Sequence, residues 1–163
     1  MNNTHIRTVK PSDIDRCFEI EQLSYQGDEA ASKEKILKRI LTYPQGFIVV
    51  EENDKVVGFI NSGATDKVEL SDEAFKQLIG HDPDGKHIVI MSVVVHPDFQ
   101  KKGYANQLMH NFIAQMKAIN KCSIHLICQT HLIPMYQKQG FNYEAQSLSN
   151  HGGMQWHDMS LRL

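Results

Sequence analysis

The sequence has no basic excess: 17 Lys and Arg stand against 19 Asp and Glu, a formal net charge of -2 over 163 residues. Proteins hold a nucleic-acid backbone by neutralising it with lysine and arginine, so this balance argues against nucleic acid as the main partner. Long apolar runs are missing too. No stretch approaches the ~18 residues that span a bilayer, and the opening MNNTHIRTVK has no apolar core of an export signal, so a cytoplasmic location without membrane attachment is expected. Cysteine is scarce. Cys17, Cys122 and Cys128 are odd in number and form no C-x-x-C pair, which points to free thiols. The nine histidines include no H-E-x-x-H and no Cys/His finger spacing, so no metal site is expected.

With 41% hydrophobic and 22% charged residues, the chain is too apolar for disorder, and its length suits one domain, residues 1–163. No linker, repeat or low-complexity tract divides it. Thr4 to Val9 alternates as a first strand. Pro11-Ser12 then opens a helix to about Tyr25, with Ser12 as N-cap and Asp15 in the capping-box place. Ile14, Cys17, Phe18 and Tyr25 share one helical face, and Glu21 falls in the middle of that stripe. Ser32 caps a second helix, whose apolar face is Ile36, Leu37, Ile40 and Leu41, and Pro44 and Gly46 end it.

Asn53-Asp54 between FIVVEE and KVVGFINSG has the pattern of a tight hairpin. Ser71 to Ile79 reads as a short helix, and Gly80 to Lys86 as a surface loop. HIVIMSVVVHP, from His87, is apolar enough to be a central strand. A helix with Leu108, Phe112, Ile113 and Met116 inward follows, and SIHLIC at Ser123 to Cys128 returns to strand. This order implies a parallel crossover. A short helix from Pro134 to Gln139 stops at Gly140, and two closing strands flank a turn at His151-Gly152-Gly153. The fold class is mixed α/β.

The sharpest motif is VVVHPDFQKKGYANQL, a buried strand that passes through Gln100-Lys101-Lys102-Gly103-Tyr104-Ala105 into a helix. First-turn amides have no intrahelical acceptor and sit at the positive end of the helix dipole, which suits a pyrophosphate. Gly103 and Ala105 let phosphates come close, and Lys101 and Lys102 add positive charge. Taken alone, the same residues also read as a helix start that merely uses Gly and Lys.

Downstream, LIPMYQKQGF at Leu132 to Phe141 follows the second parallel strand. Strand, phosphate loop, helix, strand, short helix and Gly-Phe is the order of the GNAT (general N-acetyltransferase) superfamily, which the chain resembles over almost its whole length. FEIEQLSY, VVGFINSG, HPDFQKKG, LICQTHLIPMYQKQGF and the closing MQWHDMSLRL look most like its arylalkylamine (serotonin-type) branch. The resemblance implies a seven-stranded, mostly antiparallel sheet that splays between the His87 and Ser123 strands, with acetyl-CoA as cosubstrate. It implies pantetheine on the main chain of Val93, Val94 and Val95. The pyrophosphate then falls on Lys101, Lys102, Gly103, Tyr104, Ala105 and Asn106. A small amine is the expected acceptor, and the protein is expected as a monomer or homodimer.

A free alkylamine has a pKa of about 10, so it arrives protonated and must lose a proton before attack. Tyr136 matches the tyrosine that such enzymes place beside the sulfur as general acid; its other reading is an aromatic that packs on the short helix. Where vertebrate members of the branch carry two histidines on the central strand, this chain has Val89 and Met91, which accept no proton. His87 shares their strand parity and stands as a base acting through water or as a strand-end residue in solvent. Glu21 stands as a desolvated carboxylate base, or as a side chain that reaches water or a lysine. His125 and Ser92 are weaker candidates, and Cys128 reads as a buried apolar residue. Acidic residues at Asp28, Glu29, Asp66, Glu69, Asp72, Glu73, Asp82 and Asp84 favour a cationic acceptor. Polyamines, amino acids, protein N-termini and a non-catalytic acetyl-CoA sensor are the competing readings.

Overall fold

A computed structural model of the chain describes residues 3–25, 30–149 and 153–163. Its strands are β1 (Thr4–Thr8), β2 (Ile48–Glu52), β3 (Lys55–Thr65), β4 (His87–Val95), β5 (Ser123–Cys128), β6 (Asn142–Gln146) and β7 (His157–Arg162). Its α-helices are α1 (Ile14–Ser24), α2 (Lys33–Thr42), α3 (Tyr104–Ala118) and α4 (Ile133–Lys138). The seven strands form one sheet in the order β1-β2-β3-β4-β5-β7-β6, in which β4 and β5 run parallel. This is the mixed, mostly antiparallel sheet that the sequence predicts. The chain is organised as two compact units, Met1–Ser62 with Ser92–Phe112 and Gly63–Met91 with Ile113–Leu163.

In the first unit the β2–β3 turn has Asn53 at φ 52° and Asp54 at φ 67°. Both are left-handed, as a two-residue hairpin turn compatible with strand twist requires. The start of α1 differs from expectation. A short 3₁₀ turn, Pro11–Asp13, precedes it, and Asp13 rather than Ser12 caps the chain by accepting the Lys10 amide at 2.7 Å. Arg7 of β1 donates two hydrogen bonds to the same carboxylate, at 2.8 and 2.9 Å. A charge-assisted fork of that kind outcompetes a serine hydroxyl for the capping role. Burial pushes the Asp13 carboxyl up, but the hydrogen bonds from Arg7 and the Lys10 amide outweigh it and hold the group below the ordinary range.

Cys17, Ile20 and Glu21 of α1 are buried, and Ile14, Phe18 and Tyr25 pack against a core that includes Ile36, Ile40, Phe47, Val49 and Phe59. Ser32 caps α2 as expected, its Oγ accepting from the Lys35 amide at 3.3 Å. The apolar face of α2 is turned from the expected one. Leu37 and Leu41 are 37% and 62% exposed, while Ile36, Arg39 and Ile40 are inside. Arg39 takes a core position because a polar environment waits for it there, described below.

In the second unit Asp72 caps a 3₁₀ turn, Glu73–Gln77, through the Ala74 amide. The following loop lies at the surface except at Gly85, which is buried. A Cβ built there would stand 2.5 Å from the Thr65 nitrogen. β4 and β5 are joined by three pairs only, His87–Ser123, Ile88–Ile124 and Val89–His125, although β5 continues to Cys128. That short parallel ladder is the expected splay. α4 stops at Gly140, whose φ of 103° is the left-handed C-cap that the sequence predicts. Of the turn expected at His151-Gly152-Gly153, only Gly153 lies among the described residues. Along α3, Leu108, Phe112 and Met116 are buried as expected, Met109 joins them, and Ile113 is half-buried.

Gly85→Ala will destabilise the fold by about 1–3 kcal/mol, since the added methyl overlaps backbone that has no rotamer with which to yield. A denaturant midpoint equal to that of the unmodified chain is the outcome that contradicts this account.

Candidate active site

The phosphate-loop residues of the first unit form one continuous turn. β4 ends at Val95, and Gln100 ties the following turn back by donating to the Val95 carbonyl at 3.2 Å. Lys101 at φ 63° and Gly103 at φ 84° then swing the chain into α3. The Gln107 amide donates to the Gly103 carbonyl at 3.0 Å, opening the helical ladder. The amides of Gly103, Tyr104 and Ala105 therefore precede any i−4 acceptor in the helix and point along its positive end. A Cβ built on Gly103 would meet nothing within 4 Å, so the space above it is open. First-turn amides at the positive end of α3, open space above Gly103 and an exposed Lys101 fit a pyrophosphate.

The side chains next to this turn are less free than their sequence suggests. Tyr104 is buried, and its hydroxyl donates to Glu52 at 2.5 Å, so only its amide is left for a phosphate. Lys102 donates to the same carboxylate at 3.2 Å and stands 5.2 Å from the centroid of the Phe99 ring. The Tyr104 bond, helped by Lys102, holds the Glu52 carboxyl below its usual range. Burial and the same bond push the Tyr104 phenol up to about 12.

Glu21 lies in the apolar stripe of α1, almost wholly buried, as its position on the helical wheel predicts. Its Oε2 accepts the Ala31 amide at 2.8 Å. Arg39 is inside the same unit and donates to Asn61 Oδ1 at 3.5 Å. Burial lowers the Arg39 pKa, and the negative charge of Glu21 opposes that effect. The carboxylate thus fastens the start of α2 to α1 and shares its charge with a buried guanidinium. The sequence pattern does not single out Arg39, although it sits three residues from Ile36 on the helix face that turns inward, because its charge reads as a solvent-facing residue.

Tyr136 and His87 belong to the second unit. Tyr136 is buried on α4, and its ring meets Phe141 edge-on at 5.7 Å between centroids. Burial pushes its phenol well above the ordinary range, with the nearby Cys128 adding to the shift. His87 Nδ1 is 2.6 Å from Ser123 Oγ, and that oxygen is 2.7 Å from His125 Nε2. His87 is therefore engaged across the β4–β5 ladder. Burial and the proximity of His87 lower the His125 pKa. His125 lines a cavity of about 620 Å³ with Glu69, Glu144, Asp158 and the apolar Val68, Leu70 and Met159. Burial raises the Asp158 carboxyl.

Of the acidic residues singled out in the sequence, Glu69 reaches this cavity. Asp66 accepts the Lys86 amide, Asp72 caps its turn and Asp82 accepts the Asp84 amide. Asp28 and Glu29 lie outside the described residues. Ser92 is buried in the first unit, and burial pushes the Cys128 thiol up to about 11, as for an inert core cysteine.

The Acetyltransferase (GNAT) family model matches residues 14–141, which hold the phosphate turn, the β4–β5 ladder and Tyr136. The chain belongs to the acetyltransferase (GNAT) family. It is 26% identical over 144 residues to the serotonin N-acetyltransferase of Mesocricetus auratus, covering 85% of this chain and 67% of that one. A probable hydrolase of Bacillus subtilis, YhcX, is 22% identical over 140 residues, 82% of this chain, and the match spans only 27% of that protein's length. Among solved structures, the loading GNATL domain of CurA from Lyngbya majuscula superposes with a TM-score of 0.87 at 18% identity, covering 99% and 98% of the two chains. The acetyltransferase yncA of Salmonella typhimurium, solved with acetyl-CoA, gives 0.71 at 20% identity over 98% and 94%. These likenesses confirm the GNAT fold.

Arg39→Met leaves the Glu21 carboxylate buried without its neighbouring cation, and the cost will be about 3 kcal/mol in unfolding free energy. A change of a few tenths in chemical denaturation would show that Glu21 and Arg39 do not depend on each other.

Proposed function

We propose that the chain is an acetyl-CoA-dependent N-acetyltransferase whose acceptor is a primary amine of the arylalkylamine class. The observation that carries this reading is the open, amide-lined turn at Lys101–Asn106 inside the span matched by the family. The similarity to a serotonin N-acetyltransferase and a cavity of apolar walls and carboxylates both favour a compact cationic amine. Acetyl-CoA, when bound, supplies an acetyl group activated as a thioester. The amides of Gly103, Tyr104 and Ala105 hold its pyrophosphate, and Lys101 adds charge. The main chain of Val93, Val94 and Val95 pairs with pantetheine.

Tyr136 gives its phenolic proton to the departing thiolate. Its burial supports this role, because a phenol kept neutral at working pH holds the proton until a strong base forms beside it.

The deciding experiment incubates the protein with acetyl-CoA and a panel of phenethylamine, tryptamine, spermidine and an alanine-led peptide, reading free thiol. Thiol release with the two arylalkylamines above the others is expected; acetyl-CoA binding with no release for any amine overturns the reading in favour of a sensor. Gly103→Glu will weaken acetyl-CoA binding ~tenfold or more by setting a carboxylate against the phosphates, as calorimetry can measure. Tyr136→Phe keeps the ring contact with Phe141 and will lower kcat by about 10²-fold with little change in melting temperature. Wild-type turnover in that variant would reduce Tyr136 to a packing residue.

A further inference from the structure

The amine has to lose a proton before it attacks, and Val89 and Met91, the positions where the serotonin-type resemblance expects histidines, cannot take it. The second unit holds a different arrangement on the neighbouring strand. His125 of β5 is paired in register with Val89 of β4, and Ser123 is paired with His87. Ser123 and His125 are two residues apart on β5, so their side chains leave the sheet on the same face. The Ser123 hydroxyl stands between two imidazoles, 2.7 Å from His125 Nε2 and 2.6 Å from His87 Nδ1. One end of this chain lines the cavity at His125, and the other ends on His87, which is partly exposed.

We infer that His125, Ser123 and His87 form a proton relay that deprotonates the acceptor amine bound in the cavity lined by His125, Glu69, Glu144 and Asp158. The inference rests on the acetyltransferase reading above and adds to it the base and the site where the amine sits. A neutral His125 with Nε2–H donating to Ser123 Oγ leaves Nδ1 with a lone pair. Ser123 O–H in turn donates to His87 Nδ1. Nδ1 of His125 takes one proton from the ammonium group, Nε2 passes its proton to Ser123 Oγ, and the serine proton moves to His87 Nδ1. His87 returns a proton to water from Nε2, which leaves both imidazoles with Nδ1–H. The chain resets when each exchanges to its Nε2–H tautomer, through water or a ring flip, and the Ser123 hydroxyl turns back toward His87. One proton leaves the amine and one reaches solvent, and no other co-reactant is consumed.

The surroundings fit this use. Burial lowers the His125 pKa, and the His87 ring, edge-on at 5.8 Å, adds to that effect, so His125 favours its neutral form. The other charged groups that face the pair are Glu144 on β6, Asp158 and Arg162 on β7, and Glu69 in the loop before β4. Glu144 favours a charged His125, and Arg162 is in register with Ser123. The carboxylates of Glu69, Glu144 and Asp158 suit an alkylammonium group, while Val68, Leu70 and Met159 suit an apolar body.

The test is the pH profile of kcat/KM for the full chain with acetyl-CoA and phenethylamine, tryptamine or spermidine as probe amines. His125→Gln is expected to lower kcat/KM by about 10²-fold at pH 7, with the deficit shrinking toward pH 10 as the amine deprotonates unaided. Ser123→Ala should shift the profile the same way, and Ser123→Thr, which keeps a hydroxyl, should restore it. Melting temperatures and acetyl-CoA affinities near wild type separate a lost relay from a lost fold. A pH profile unchanged in His125→Gln, or a limb that moves with Glu21→Gln instead, overturns the relay while leaving the acetyltransferase reading intact. Acetyl-CoA binding without turnover of any amine by the unmodified chain overturns both.

Discussion

Three residue pairs of parallel sheet, His87–Ser123, Ile88–Ile124 and Val89–His125, tie together two distant segments of the second unit. A parallel ladder needs a crossover, which α3 supplies, and it fixes side chains of two distant segments in one register. The register brings His87 beside Ser123 and Val89 beside His125. The ladder is fastened at its closed end. The Cys122 amide donates to the Lys86 carbonyl at 2.7 Å, the Leu163 amide to the Cys122 carbonyl at 2.9 Å, and Lys121 reaches the carbonyls of Pro83 and Gly85. A shift of one residue would turn His125 to the opposite face of the sheet, and the Ser123 bridge would be lost.

Charge buried in the first unit works in another way. Asp13 is held between Arg7 and the Lys10 amide, and Glu21 between the Ala31 amide and the field of Arg39. Desolvation penalises each of these groups, so each is tied to its partners by geometry and cannot be moved cheaply. The effect is to fix where α1 begins and how α2 is rotated upon it. At the turn into α3 the same logic is applied to Tyr104 and Lys102, whose polar ends are occupied by Glu52.

The proposed function draws on main-chain geometry in one unit and on side-chain chemistry in the other. The turn into α3 has a glycine at φ 84°, a left-handed conformation that favours glycine. In the second unit burial pushes the Tyr136 phenol up and lowers the His125 pKa, so both groups favour their neutral forms.

Local patterns in the sequence were enough for what local forces decide. The Asn53-Asp54 turn, the Ser32 cap, the Gly140 stop, the strand at His87 and the phosphate turn each follow from backbone preference or hydrogen bonding within a few residues, and each was legible. The burial of Glu21 was also legible from its helical spacing. The inward turn of Arg39, the displacement of the α1 cap to Asp13 and the engagement of Lys102 and Tyr104 by Glu52 were not, because each depends on a partner remote in sequence. The bridge of His87, Ser123 and His125 is the strongest case. Its two strands are 36 positions apart in the chain, and only their parallel register sets the hydroxyl within hydrogen-bond reach of both imidazoles.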